Sequence, residues 1–91
     1  LETMRDAGVE MGLSAAQAQR LAIGTFVGAS ELARASQDPP EVLRERVTSK
    51  GGTTYAAISS MEQDGVKALF AKALHAARAR AAELGDEFGK A

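Results

Sequence analysis

The sequence predicts an all-α protein of about five helices that forms a helical dimer with a second copy. Three observations predict it. Apolar residues recur at spacings of three and four along most of the 91 residues, and no stretch alternates with the period of two that marks a strand. Bulky apolar side chains are also scarce: 19 residues are Ala, whereas Leu, Ile, Val and Phe together number only 18. A chain of this size buries only about 60 to 65% of its unfolded surface. Burial shared with a partner is the expected remedy.

The first helix is expected from Leu1 to Met11, where Leu1, Met4, Val9 and Met11 form a rough stripe with no capping residue ahead. Gly12 is its left-handed stop. Ser14 and Gln17, three residues apart, form a capping-box pair that opens a long second helix from Ala15 to about Ser36. Along it Ala18 and Ala22, Gly24 and Gly28, and Ala29 and Ala33 are each four apart, which allows another helix to approach closely. A glycine inside a helix costs about 1 kcal/mol relative to Ala, so two on one face favour an interface over an ordinary Ala-rich helix.

Asp38 reads as the next N-cap, with Pro39 at the first helical position and Glu41 completing a box, for a short helix to about Val47. A fourth helix is expected from Thr54 to Gln63, broken by Asp64 and Gly65. The fifth is the most periodic, with Val66, Phe70, Ala73, Ala77, Ala81 and Leu84 on one face. Glu83 to Ala91 contains "GDEFGK" and is expected to fray into a tail.

Composition removes several functions. There is no cysteine and one histidine, His75, so thiolate and multi-histidine metal sites are excluded, and the acidic residues show no metal-ligand spacing. A net charge of -1 leaves no electrostatic footprint for nucleic acid. No apolar run approaches the roughly 18 residues of a membrane span, and "LETMRDAGVEMG" lacks the basic flank of a signal peptide. A reducing, cytoplasmic setting without membrane or nucleic-acid partners is expected. His75 lies on a small-residue face with no neighbour in sequence to complete a dyad, and Arg78 and Arg80 point to different sides of a helix, so none of the three is given a role.

One stretch stands apart. In "VTSKGGTTYAAI", Val47 to Ile58, a hydroxyl pair, a lysine, two glycines and a second hydroxyl pair separate two helices. A phosphate loop of the G-x-x-x-x-G-K-[ST] kind needs its lysine after the last glycine and a strand before the loop, and here Lys50 precedes the glycines. What survives is a glycine turn feeding a helix N-terminus, whose unpaired N–H groups attract an anion. The residues alone leave two readings open: a carboxylate-sized anion site, or Thr53 or Thr54 merely capping the helix.

"VTSKGGTT" and the helices after it resemble the C-terminal part of pyrroline-5-carboxylate reductases, with Val47, Thr48, Ser49, Gly51, Gly52, Thr54, Ala57 and Glu62 fitting the family signature. "DAGVEMGLSAAQAQRLAIGTFVGAS" resembles the segment just upstream, with Gly8, Gly12 and Leu13 in matching places. Lys50 stands where the family more usually has Pro, which loosens the turn and brings a cation to the anion pocket.

The resemblance implies that residues 1–91 are the C-terminal dimerisation and substrate-binding domain of such an oxidoreductase of proline biosynthesis, without its N-terminal Rossmann domain. The full-length parent would reduce 1-pyrroline-5-carboxylate to L-proline, whereas this piece alone is expected to be inactive. NADPH or NADH would be held mainly by the missing domain, and no cofactor is expected in this chain. The implied partners are a small-molecule substrate and a second copy, with which this domain would be interleaved as a helical dimer, and dimers assemble into decamers in some members. Carried over residue by residue, Ser49 and the N–H groups of Gly52, Thr53 and Thr54 would bind the substrate carboxylate. The Thr54 hydroxyl would donate to the ring nitrogen and act in catalysis. The alternative is a non-enzymatic helical dimerisation module whose glycine-rich turn only caps a helix.

Overall fold

The computed structural model describes residues 1–89, with no description of the Phe88 side chain. Among these residues there are five helices and no strand: α1 (Glu2–Glu10), α2 (Ala15–Ala35), α3 (Pro40–Arg46), α4 (Thr53–Gln63) and α5 (Val66–Gly89). The chain divides into two compact units, Leu1–Arg46 and Val47–Ala91.

In the first unit, α1 and α2 form a hairpin whose turn is written almost entirely in local hydrogen bonds. Gly12, at φ +106°, donates to Val9 O and Leu13 donates to Gly8 O, each at 3.0 Å, which is the pair of bonds of a Schellman motif. Two residues on, Ser14 opens α2 with both bonds of the capping box: Gln17 N–H donates to Ser14 Oγ at 3.2 Å and Ser14 N–H to Gln17 Oε1 at 3.1 Å. The stop and the start expected from Gly12, Ser14 and Gln17 are thus both present.

The two helices meet through small residues. A β-carbon added to Gly8 would lie 3.0 Å from the Ala18 β-carbon, so glycine is what lets the backbone of α1 come this close. Ala18 and Ala22, each 3% exposed, are the buried apolar residues of the described chain. No large side chain joins them: Leu21, Ile23, Phe26, Val27 and Leu32 of α2 all remain exposed. Gly24 and Gly28 have no neighbour within 4 Å of where a β-carbon would sit.

The start of α3 differs from the expectation. Pro39 O accepts from Val42 and Leu43, so Pro39 is the cap and Pro40 takes the first helical position. Asp38 does not cap. Its carboxylate pairs instead with Arg46 at the far end of α3, and its N–H donates to Ser36 Oγ.

In the second unit, α4 and α5 adjoin at Asp64–Gly65, with Gly65 at φ +67°. The expected fraying from Glu83 is overturned as far as Gly89, since α5 continues unbroken to that residue. Arg80 pairs with Glu83 at 2.8 Å and with Glu87 at 3.7 Å, successive turns of one helix that these charges tie together. Lys90 and Ala91, the rest of the expected tail, lie outside the described residues. The periodic face of α5 is open in the single chain, with Leu69 61%, Phe70 67% and Leu74 60% exposed. No helix among the described residues is long and apolar enough to cross a membrane.

Candidate functional site

The candidate site lies wholly within the second unit and is built by one turn and one helix end. Gly52 N–H donates to Ser49 O at 3.0 Å, closing the turn Ser49-Lys50-Gly51-Gly52. Gly51, at φ +78°, occupies the position where a type II turn requires positive φ, and Lys50 the position where that turn favours Pro. The turn therefore supplies a physical reason for two of the letters in the signature.

Gly52 then becomes the N-cap of α4 in extended conformation, φ -84° and ψ 179°. Neither Thr53 nor Thr54 caps the helix, because they occupy its first and second positions. The first bond of the helix runs from Ala56 N–H to Gly52 O at 3.0 Å. The N–H groups of Thr53, Thr54 and Tyr55 precede it, and no described residue accepts from them. Three donors at the positive end of the helix dipole converge on the space before Gly52.

The Ser49 side chain lies against the capping Gly52. A β-carbon on Gly52 would stand 2.6 Å from Ser49 Oγ and 3.2 Å from Ser49 O, so the hydroxyl occupies the volume that any other residue at position 52 would fill. The structure thus brings Ser49, Gly52 and the Thr53 and Thr54 backbones together at one helix end. The threonine side chains diverge by about 100° around the helix axis, Thr53 exposed and Thr54 half-buried.

Two details differ from the carried-over roles. The N–H of Gly52 is already used within the turn, so its donor is not open to a ligand, and what Gly52 contributes is an absent side chain. The third open donor is Tyr55 N–H, which letter-by-letter matching passed over because its side chain is irrelevant to it. Counting three unpaired N–H groups from the true cap would have found it. Arg80 is engaged with Glu83 and Glu87, in line with solvated charge. Among the described residues no group of three His, Asp or Glu side chains could hold a metal ion.

Residues 1–84 match the family model described as pyrroline-5-carboxylate reductase dimerisation. The chain belongs to this family. A pyrroline-5-carboxylate reductase of Pseudomonas aeruginosa is 46% identical over 90 residues, which is 99% of this chain and 33% of that protein. One from Thermus thermophilus is 38% identical over 85 residues, 93% of this chain and 32% of that protein. In the crystal structure of Plasmodium falciparum pyrroline carboxylate reductase with NADP bound, the similar region has a TM-score of 0.80 and 32% identity, over 82% of this chain and 29% of that one. The chain therefore spans about a third of the length of the reductases it matches.

That NADP is a property of the Plasmodium protein. In the present pyrroline-5-carboxylate reductase region no strand feeds a glycine turn among the described residues, so these residues do not fit a Rossmann-type nucleotide site. None of them is assigned to the cofactor.

Proposed function

We propose that this chain supplies the dimer interface and the substrate-binding turn of a pyrroline-5-carboxylate reductase, whose full-length form reduces 1-pyrroline-5-carboxylate to L-proline with a hydride from NADPH or NADH. The observation that carries the proposal is the open end of α4: three unpaired N–H groups at Thr53, Thr54 and Tyr55, with the Ser49 hydroxyl against the capping Gly52. Such an end suits a carboxylate, which carries one negative charge on two acceptor oxygens. Ser49 and the three N–H groups hold the substrate carboxylate. The Thr54 hydroxyl donates to the ring nitrogen.

During reduction the imine carbon accepts hydride and the nitrogen gains a proton. A hydroxyl aimed at that nitrogen draws electron density from the C=N bond as the reaction proceeds, and so stabilises the transition state more than the bound substrate. It is too weak an acid to be the proton source by itself. Its part is electrostatic.

The dimer follows from the same chain. Exposed apolar side chains run along both α2 and α5, and the buried pair Ala18 and Ala22 is far too small to be the whole core. A second copy covers them.

Titration with proline, followed by amide NMR shifts, tests the site. Shifts at Gly51 to Tyr55 should exceed those elsewhere and saturate. A folded dimer with no shift there would favour the non-enzymatic module whose turn only caps α4.

A further inference from the structure

We propose that Lys50 is a charge-selecting residue of the substrate turn: its ammonium group adds a positive field at the open end of α4, so that the reductase favours a carboxylate over a neutral ligand of the same shape. The proposal rests on the reading of that helix end as the carboxylate site. It adds a residue that neither the turn nor the helix accounts for.

The backbone gives Lys50 no structural task. It occupies the position of the Ser49–Gly52 turn that proline would fill with less conformational freedom, and the N–H that closes the turn belongs to Gly52. What lysine brings is its side chain, an ammonium on a flexible four-carbon stem. That charge is isolated. From Val47 to Met61 Lys50 is the only charged side chain. It is exposed and makes no ion pair with any described residue, whereas Arg5, Arg34, Arg46 and Arg80 each pair with a carboxylate.

The range of the effect follows from the backbone alone. Two peptide units separate the α-carbons of Lys50 and Gly52, so these lie at most about 7.6 Å apart. That is within the screening length, about 8 Å at physiological ionic strength, and no fixed contact is needed. The field of the ammonium has the same sign as that of the helix dipole and of the three open N–H groups at Thr53, Thr54 and Tyr55. The nearest acidic residue of α4, Glu62, stands ten residues beyond Gly52, about 15 Å along the helix, so it does little to offset that field.

A unit charge about 7 Å from a carboxylate in watery surroundings changes its affinity by about 3-fold. The effect fades as salt shortens the screening length. A neutral ligand is indifferent to it. Lys50 thus selects by charge, while Ser49 and the N–H groups hold by contact.

Full-length reductase carrying Lys50→Gln, Lys50→Arg or Lys67→Gln tests this. Lys67→Gln makes the same change in net charge as Lys50→Gln, but just past the other end of α4. Cyclopentanecarboxylate and cyclopentanecarboxamide serve as inhibitors of matched shape, one charged and one neutral. In Lys50→Gln the inhibition constant of the carboxylate and the KM for pyrroline-5-carboxylate should rise about 3-fold at low salt and converge on the unsubstituted values near about 0.5 M, with little change in kcat. The constant of the amide should hold. Lys50→Arg should keep the preference for the carboxylate, and Lys67→Gln should leave it unchanged. If the amide binds too weakly to measure, the salt dependence of KM decides by itself. A rise that persists at high salt, or one shared equally by the amide, overturns the proposal, because it reports a change in the shape of the turn. An unchanged KM in Lys50→Gln overturns it too. If Gly52→Ala still raises KM in that case, the carboxylate site stands without Lys50, whereas no response to either variant removes the site as well.

Discussion

Gly52 and Ser49 are placed so that a β-carbon on the first would stand 2.6 Å from the hydroxyl oxygen of the second. That is inside the contact distance of a carbon and an oxygen atom. Gly52→Ala must therefore push the Ser49 hydroxyl away from the helix end or open the turn. In the full-length reductase the expected result is a KM for pyrroline-5-carboxylate raised by about 10-fold, equivalent to one lost hydrogen bond to a charged group. Steady-state kinetics checks it, and an unchanged KM would separate Ser49 from substrate binding.

Thr54→Ala removes the hydroxyl assigned to the ring nitrogen and leaves the backbone donor in place. We expect kcat to fall by about 100-fold with a smaller change in KM, as for the loss of one transition-state donor. Thr54→Ser should recover much of the rate. Equal activity for the alanine variant would take Thr54 out of the chemistry.

Lys50 sits at the position of the Ser49–Gly52 turn where φ near -65° is favoured, and its N–H is not the one that closes the turn. Lys50→Pro should raise stability by about 0.4 to 1 kcal/mol by restricting the unfolded chain. A urea titration would show a higher midpoint at unchanged slope. A lower midpoint would mean that Lys50 makes a contribution which the turn geometry does not reveal.

The Gly8 to Ala18 approach leaves no room for a branched side chain, since even a β-carbon would lie 3.0 Å from that of Ala18. Gly8→Val should destabilise the α1–α2 hairpin by about 1 to 3 kcal/mol, despite the better helix propensity of valine. Thermal unfolding followed by circular dichroism measures this.

Ser14→Ala removes the acceptor of the Gln17 N–H and should lower stability by about 1 kcal/mol. The same unfolding experiment applies, and Ser14→Asp should keep most of the cap.

What could be read in the sequence was whatever a few adjacent residues decide between themselves. Gly12, Ser14 and Gln17 set the α1–α2 turn through bonds no more than five residues long, and all of them lie where the pattern puts them. Asp38 was misread because its partner, Arg46, is eight residues away, and because either proline of the pair Pro39-Pro40 can serve as the first helical residue. The two glycines of "GDEFGK" suggested a tail, whereas charge pairs from Arg80 span the first of them. At the site, residue types left an anion site and a mere helix cap both open, and the family resemblance pointed to Ser49, Gly52, Thr53 and Thr54. They could not show that Gly52 N–H would be used by the turn and Tyr55 N–H left open, since that depends on which residue caps α4.

The turn between α1 and α2 also sets an order of events in time. Its stop and its start are completed by residues within one short span, and the helices it joins are sequence neighbours with a small-residue seam. Contacts this local close on the microsecond scale typical of helices and short loops, whereas encounter with a second copy is slower and depends on concentration. The hairpin is thus the part of the chain that acquires its shape early, and it presents the apolar side of α2 already formed when a partner arrives.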